Sequence, residues 1–162
     1  MDKVTLDRIK LAHPHLREQL LEQYLEINNK LPKGVRLRFS YVFRTTEEQH
    51  ALFLKRPKVT KADSWQSIHN YGLAFDIVLL YDKNGDGTFE LASWEQDKYW
   101  IQVVDFFKSK GWEHGGSWKN FKDQPHFQLK RKDGTSYKWQ ELKKRIDEGK
   151  SILDSGLKYP LI

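Results

Sequence analysis

The run Gly72-Leu73-Ala74-Phe75-Asp76-Ile77-Val78-Leu79-Leu80-Tyr81 constrains the fold more than any other stretch of this chain. It is apolar on both of its alternating faces apart from one residue, the pattern of a strand covered on each side. The exception is Asp76. A carboxylate in such surroundings is costly unless a cation or several hydrogen-bond donors meet its charge. Backbone amides, an arginine or a metal would each serve, and the strand alone does not choose among them.

Partners for that strand are visible on either side of it. From Thr5 to Lys30 apolar residues recur at helical spacing, with Leu16, Leu20, Leu21, Tyr24, Leu25 and Ile27 in one stripe, so one or two N-terminal helices are expected before Leu31-Pro32-Lys33-Gly34. Val35, Leu37, Phe39, Tyr41 and Phe43 alternate as in a half-buried strand that delivers Arg44 to a turn. Thr45 or Thr46 then caps a helix ending near Arg56-Pro57, and Lys58 to Tyr71 reads as a loop. Tyr99 to Lys110 has helical periodicity and stops at Gly111. A third strand is expected around Phe127 to Lys130, then a charged amphipathic helix from Tyr137 to Gly149 and a surface tail to Ile162. These elements make an α+β chain with a small, mainly antiparallel sheet flanked by helices. At 162 residues it reads as a single domain spanning 1–162, with the helix and tail 137–162 packed on it.

Cysteine is absent, so disulfides and thiolate metal sites are excluded, and a transition metal would have to be held by imidazole and carboxylate. The N-terminal residues lack the apolar core of a signal peptide, and no apolar run approaches the roughly eighteen residues of a membrane span. A soluble chain without stable membrane association is expected. The net charge of +6 favours anionic partners. The basic residues are scattered and match no nucleic-acid module, so no nucleic-acid partner is expected.

Two histidine-bearing segments stand out. His69 lies seven residues before Asp76. A tight turn at Gly72 would let it fold back beside that carboxylate. In Asp123-Gln124-Pro125-His126 the proline restricts the backbone, holding Asp123 and His126 at a fixed offset. A metal hydrolase needs such an offset between a ligand and a proton acceptor. A turn-capping aspartate beside an ordinary histidine would give the same string.

The segment Ser67-Ile68-His69-Asn70-Tyr71-Gly72-Leu73-Ala74-Phe75-Asp76 resembles the S-x-H-x-x-G-x-A-x-D motif of the zinc D-alanyl-D-alanine carboxypeptidase and L-alanyl-D-glutamate endopeptidase family, which includes many phage endolysins. Trp112 to Phe127, ending in Asp123-Gln124-Pro125-His126-Phe127, resembles the family's second segment, and Tyr41 to Gln49, with Arg44, its upstream arginine segment. The resemblance implies a hedgehog/DD-peptidase-like fold and one zinc ion held by His69, Asp76 and His126, with the fourth position open. It implies Asp123 as general base and then acid, and Arg44 as stabiliser of the oxyanion. It also implies that Ser67 binds substrate or fixes the His69 loop. Three positions depart from the family pattern: Val42 replaces a common glycine, His114 an aromatic and Ser117 an acid. Substrate contacts are expected at His114 and Trp118.

The activity so implied is hydrolysis of a peptide bond in the peptidoglycan stem, foremost by a monomeric L-alanyl-D-glutamate endopeptidase acting as a bacteriolytic phage endolysin. Such a protein would stay in the host cytoplasm until released to the wall. A D-alanyl-D-alanine carboxypeptidase, a metal-dependent nuclease and a non-catalytic wall-binding module are the alternatives. Asp82-x-Asn84-x-Asp86-Gly87 also matches the first half of a calcium-binding loop, although its twelfth position is Ser93 where a bidentate acid is required. A hairpin turn after the buried strand is the competing reading.

Overall fold

The computed structural model describes residues 1–162. Pro14, which cannot donate a backbone hydrogen bond, separates two N-terminal helices, α1 (Lys3–Ile9) and α2 (Arg17–Lys30). The expected strand is β1 (Val35–Tyr41), followed by α3 (Thr46–Leu54), whose cap is Thr45 accepting from Glu48 N. The apolar run is β2 (Ala74–Tyr81). Helix α4 (Lys98–Ser109) starts at Asp97, which accepts from the amides of Tyr99 and Trp100. It buries Trp100, Val103, Val104 and Phe107, the spacing of one helical face.

Strand β2 is the axis of a five-stranded antiparallel sheet. Strand β1 pairs along one of its edges. The opposite edge is shared, with β5 (His126–Gln128) beside Ala74–Asp76 and β3 (Leu91–Ser93) beside Leu79–Tyr81. β4 (Glu113–His114) extends the sheet from β5. A core of 23 buried residues draws on α1, α2, α4, α5 (Trp139–Asp147) and the sheet, with Phe39, Phe75, Phe107 and Phe127 at its centre.

Three readings of the sequence need correction. The stretch 58–71 is not loop throughout, because Ile68–Tyr71 forms a short 3₁₀ helix. The expected surface tail is a hairpin, β6 (Ser151–Asp154) and β7 (Leu157–Pro160), that buries Tyr159. Two fixed points explain this: Arg17 pairs with Asp154, and His13, fully buried, donates from Nε2 to Pro160 O at 2.7 Å. The calcium expectation at Asp82, Asn84 and Asp86 is not supported. Their side-chain oxygens accept the turn's own amides, Asp82 from Gly85 and Gly87, Asn84 from Asp86, and Asp86 from Thr88. The segment is the turn joining β2 to β3, and Ser93 lies in the β3 ladder opposite Leu79.

Candidate active site

A β-bulge between Phe39 and Tyr41 ends the β1 ladder with Tyr41 opposite Asp76. The chain then leaves the sheet and binds the 3₁₀ helix along its length. Arg44 N donates to His69 O at 3.1 Å, Asn70 Nδ2 donates to Arg44 O at 2.9 Å, and His69 Nδ1 donates to Val42 O at 2.8 Å. Ser67 caps the helix from one end, its hydroxyl accepting from His69 N, and Asn70 Oδ1 returns a bond from Ser67 N. At the other end Gly72 sits at φ 72°, in the left-handed region, and turns the chain into β2. His69 therefore comes back over Asp76, seven residues further on.

His126 arrives from the other side. It is the register partner of Asp76 in the β2–β5 ladder, and the preceding turn is closed by His126 N donating to Asp123 O at 3.2 Å. That turn is folded against Gly115, where an added Cβ would stand 2.4 Å from Asp123 O.

The three side chains converge on one point. Asp76 Oδ1 is 3.1 Å from His69 Nε2 and 3.0 Å from His126 Nδ1. Because the Val42 carbonyl can only accept, Nδ1 of His69 carries the proton and Nε2 presents a lone pair. The amide oxygen of Gln128 faces His126 Nε2 at 2.8 Å, which leaves Nδ1 as that ring's free lone pair. Two lone pairs and a carboxylate oxygen in contact repel unless a positive centre lies between them. Burial alone would raise the Asp76 pKa, but positive charge at the facing imidazoles, as when a proton stands where a cation would, holds it well below the usual carboxylate range. Burial lowers the pKa of His69, favouring its neutral form; burial also pulls the His126 pKa down, but the hydrogen bond and charge of Asp76 together with Gln128 and Asp123 outweigh burial and raise it. The three ligand atoms lie within 4.8 Å of one another, and imidazole with carboxylate suits a borderline divalent metal.

These residues floor a cleft of about 560 Å³ whose walls include Tyr41, Arg44, Ser67, Trp118 and Asp123. Arg44 is buried, stacked over the Tyr41 ring at 4.2 Å, donating to Gln49 Oε1 at 2.8 Å and lying 3.8 Å from Asp76 Oδ2. Its Nε has no partner. Asp123 is solvent-accessible as a residue, yet the protein around its carboxyl and the charge of Asp76 raise its pKa, which makes it a stronger base than a free aspartate. Trp118 packs 5.4 Å from the His126 ring and donates to Glu113 Oε2.

His114 does not fit its expected place among the substrate contacts. Its ring is buried, stacked on Phe127 at 4.7 Å, and its Nε2 meets Gln124 O at 2.7 Å, so it braces the Asp123 turn from behind. Gln128, Asn70 and the Val42 carbonyl were not singled out from sequence. Gln128 follows His126 at the same-face spacing of a strand, and that period was the available signal. The two partners on the His69 side depend on a fold-back that local sequence does not encode.

Residues 60–129 match the family model described as D-alanyl-D-alanine carboxypeptidase, a span that contains Ser67, His69, Asp76, Asp123 and His126. Over that segment the chain is similar to this peptidase family. The peptidoglycan L-alanyl-D-glutamate endopeptidase CwlK of Bacillus subtilis is 37% identical over 109 residues, covering 60% of this chain and 62% of CwlK. The chain thus spans less than two thirds of that relative's length. The crystal structure of the Serratia marcescens L-Ala D-Glu endopeptidase ChiX matches with a TM-score of 0.59 at 24% identity, over 82% of this chain and 91% of that one. The likeness to ChiX is one of fold, and it covers the α+β architecture described above.

Proposed function

We propose that this chain is a zinc-dependent peptidoglycan hydrolase that cuts the L-alanyl-D-glutamate bond of the stem peptide. The observation that carries the reading is the meeting of His69 Nε2, His126 Nδ1 and Asp76 Oδ1 at a point that demands a cation, with Asp123 and Arg44 on the walls of the same cleft. The L-alanyl-D-glutamate endopeptidase activity of CwlK supports the choice of bond. Zinc, when bound, would act as a Lewis acid toward the scissile carbonyl and make water more acidic.

The remaining steps belong to the chain's own side chains. Asp123, with its raised pKa, accepts a proton from the attacking water and returns it to the departing amine. Arg44, fixed by Gln49 and Tyr41, keeps its charge toward the cleft, where the carbonyl oxygen becomes negative. Ser67 holds the 3₁₀ helix that carries His69 and also lines the cleft, and Trp118 walls it. No helix is long and apolar enough to cross a membrane, and the +6 charge favours an anionic wall. A single-domain, monomeric phage endolysin released from the host cytoplasm belongs to the same proposal.

Purified muropeptides incubated with the protein and weighed by mass spectrometry test it. Products split between alanine and glutamate are expected; loss of a terminal D-alanine would instead assign a carboxypeptidase. Metal analysis should show zinc lost in His126→Ala. In Asp123→Ala zinc should stay while the rate falls by roughly 10²–10⁴-fold. Normal wall lysis by Asp123→Ala would remove the proposed mechanism.

A further inference from the structure

Beyond Trp118 and Asp123 the cleft continues into a second hollow of about 620 Å³, formed by the segments 58–62 and 118–123. The two hollows share Val59, Thr60, Ala62, Trp118 and Asp123, so the second adjoins the cleft over the metal ligands. Its chemistry is opposite to that of the floor. Lys58, Lys61 and Lys122 line it, and Asp123 is its single acid. None of the three lysines takes part in any ion pair of the chain. Lys61 is nevertheless placed, with its ammonium 3.3 Å from the centre of the Phe121 ring. Phe121 holds that ring out at 74% exposure from a left-handed backbone, φ 54°, a conformation bulky residues rarely keep.

We infer that this basic hollow is a carboxylate-binding subsite that selects substrates with a free acid next to the scissile bond. The inference rests on the endopeptidase reading given above. A glutamate residue has two carboxyl groups, and the peptide continues through one of them. The other is free and ionised at neutral pH, with an ordinary pKa near about 4.3. An L-alanyl-D-glutamate bond therefore has a negative charge within one residue of the point of cleavage. Lys61 and Lys122 attract that charge to their side of the cleft. The pairing orients the peptide across the cleft as well as binding it. Amidation of the same carboxyl removes the charge and keeps the shape, so the amidated peptide is the discriminating analogue.

The test uses two synthetic peptides containing L-alanyl-D-glutamate and a following residue, one with the second carboxyl free and one with it amidated. Wild type should favour the free acid by about tenfold in kcat/KM, equivalent to ~1.4 kcal/mol, through a lower KM. In Lys61→Met/Lys122→Met the ratio should fall close to one, and in Lys61→Arg/Lys122→Arg it should persist. A charge-matched control, Lys33→Met/Lys83→Met, removes two exposed lysines outside both hollows and should keep the wild-type ratio. The subsite is overturned if wild type treats both peptides alike. A preference that survives in Lys61→Met/Lys122→Met overturns it too, as does its equal loss in the control. If wild type cuts neither peptide, the endopeptidase reading itself falls and the subsite with it.

Discussion

Replacing Gly72 by alanine probes the joint on which the whole site turns. At φ 72° an alanine costs about 1 kcal/mol in backbone energy alone. The steric cost comes on top. A Cβ at Gly72 would stand 2.6 Å from His13 N and 2.9 Å from Tyr159 Cε1. No rotamer change relieves the first contact, because His13 N is backbone and is held there by its 2.9 Å bond to Gly72 O. Overpacking of this kind adds roughly 1–3 kcal/mol, so the total is roughly 2–4 kcal/mol. For a chain of this size that lowers the unfolding midpoint by on the order of 5–15 °C. Gly111 provides the internal reference, since it has φ 93° with no atom within 4 Å of an added Cβ. Gly111→Ala should cost only the backbone part. Urea and thermal unfolding of both variants measure the difference, and zinc titration should show weaker binding in Gly72→Ala alone, because Gly72 N closes the 3₁₀ turn on His69 O. Equal losses in the two variants would refute the argument that His13 and Tyr159 leave no room for a side chain.

Other consequences are as direct. Gln128→Leu removes the acceptor that orients His126, so zinc affinity should fall by roughly 10–100-fold in a competition titration while the unfolding midpoint of the metal-free protein changes little. Zinc at a hundred times its dissociation constant should stabilise the wild type by about 2.7 kcal/mol, an increment absent in His69→Ala. Acid stability should depend on Asp2. Burial pushes its pKa up, but Arg38 and Thr5 outweigh burial and leave it below the ordinary value. With the folded value below the unfolded one near about 3.9, its stabilisation is complete above that pH and fades as pH falls through the folded value. Arg38→Met should therefore lose stability at pH 7 and show a shallower decline between about pH 4 and 2 in urea unfolding.

Much of the site was legible because its signals are local. The near-continuous apolar run with one acid marks a covered strand and an unsatisfied charge, and Pro125 fixes the offset between Asp123 and His126 within four residues of chain. The Asp82 turn was legible too, as the hairpin connection between β2 and β3 that its own side-chain oxygens brace. The placement of His114 was not readable, since a histidine before two glycines faces either the cleft or the core depending on how the glycines turn. Here Gly115 and Gly116 close against Asp123 and Gln124, and the ring goes inward.

Sequence alone determined which residues could hold a metal, that cysteine took no part, and that the chain combines helices with a small antiparallel sheet. Tertiary structure decided which nitrogen of each imidazole is free, because that choice is made by acceptors remote in sequence or across a strand, Val42 O for His69 and Gln128 Oε1 for His126. It also turned the C-terminal residues from a tail into a hairpin against Gly72, and joined segments 58–62 and 118–123 into one basic hollow beside the metal ligands. Each of these depends on contacts between residues far apart in the chain. Local periodicity reports which face of an element is buried, and only packing sets what that face meets.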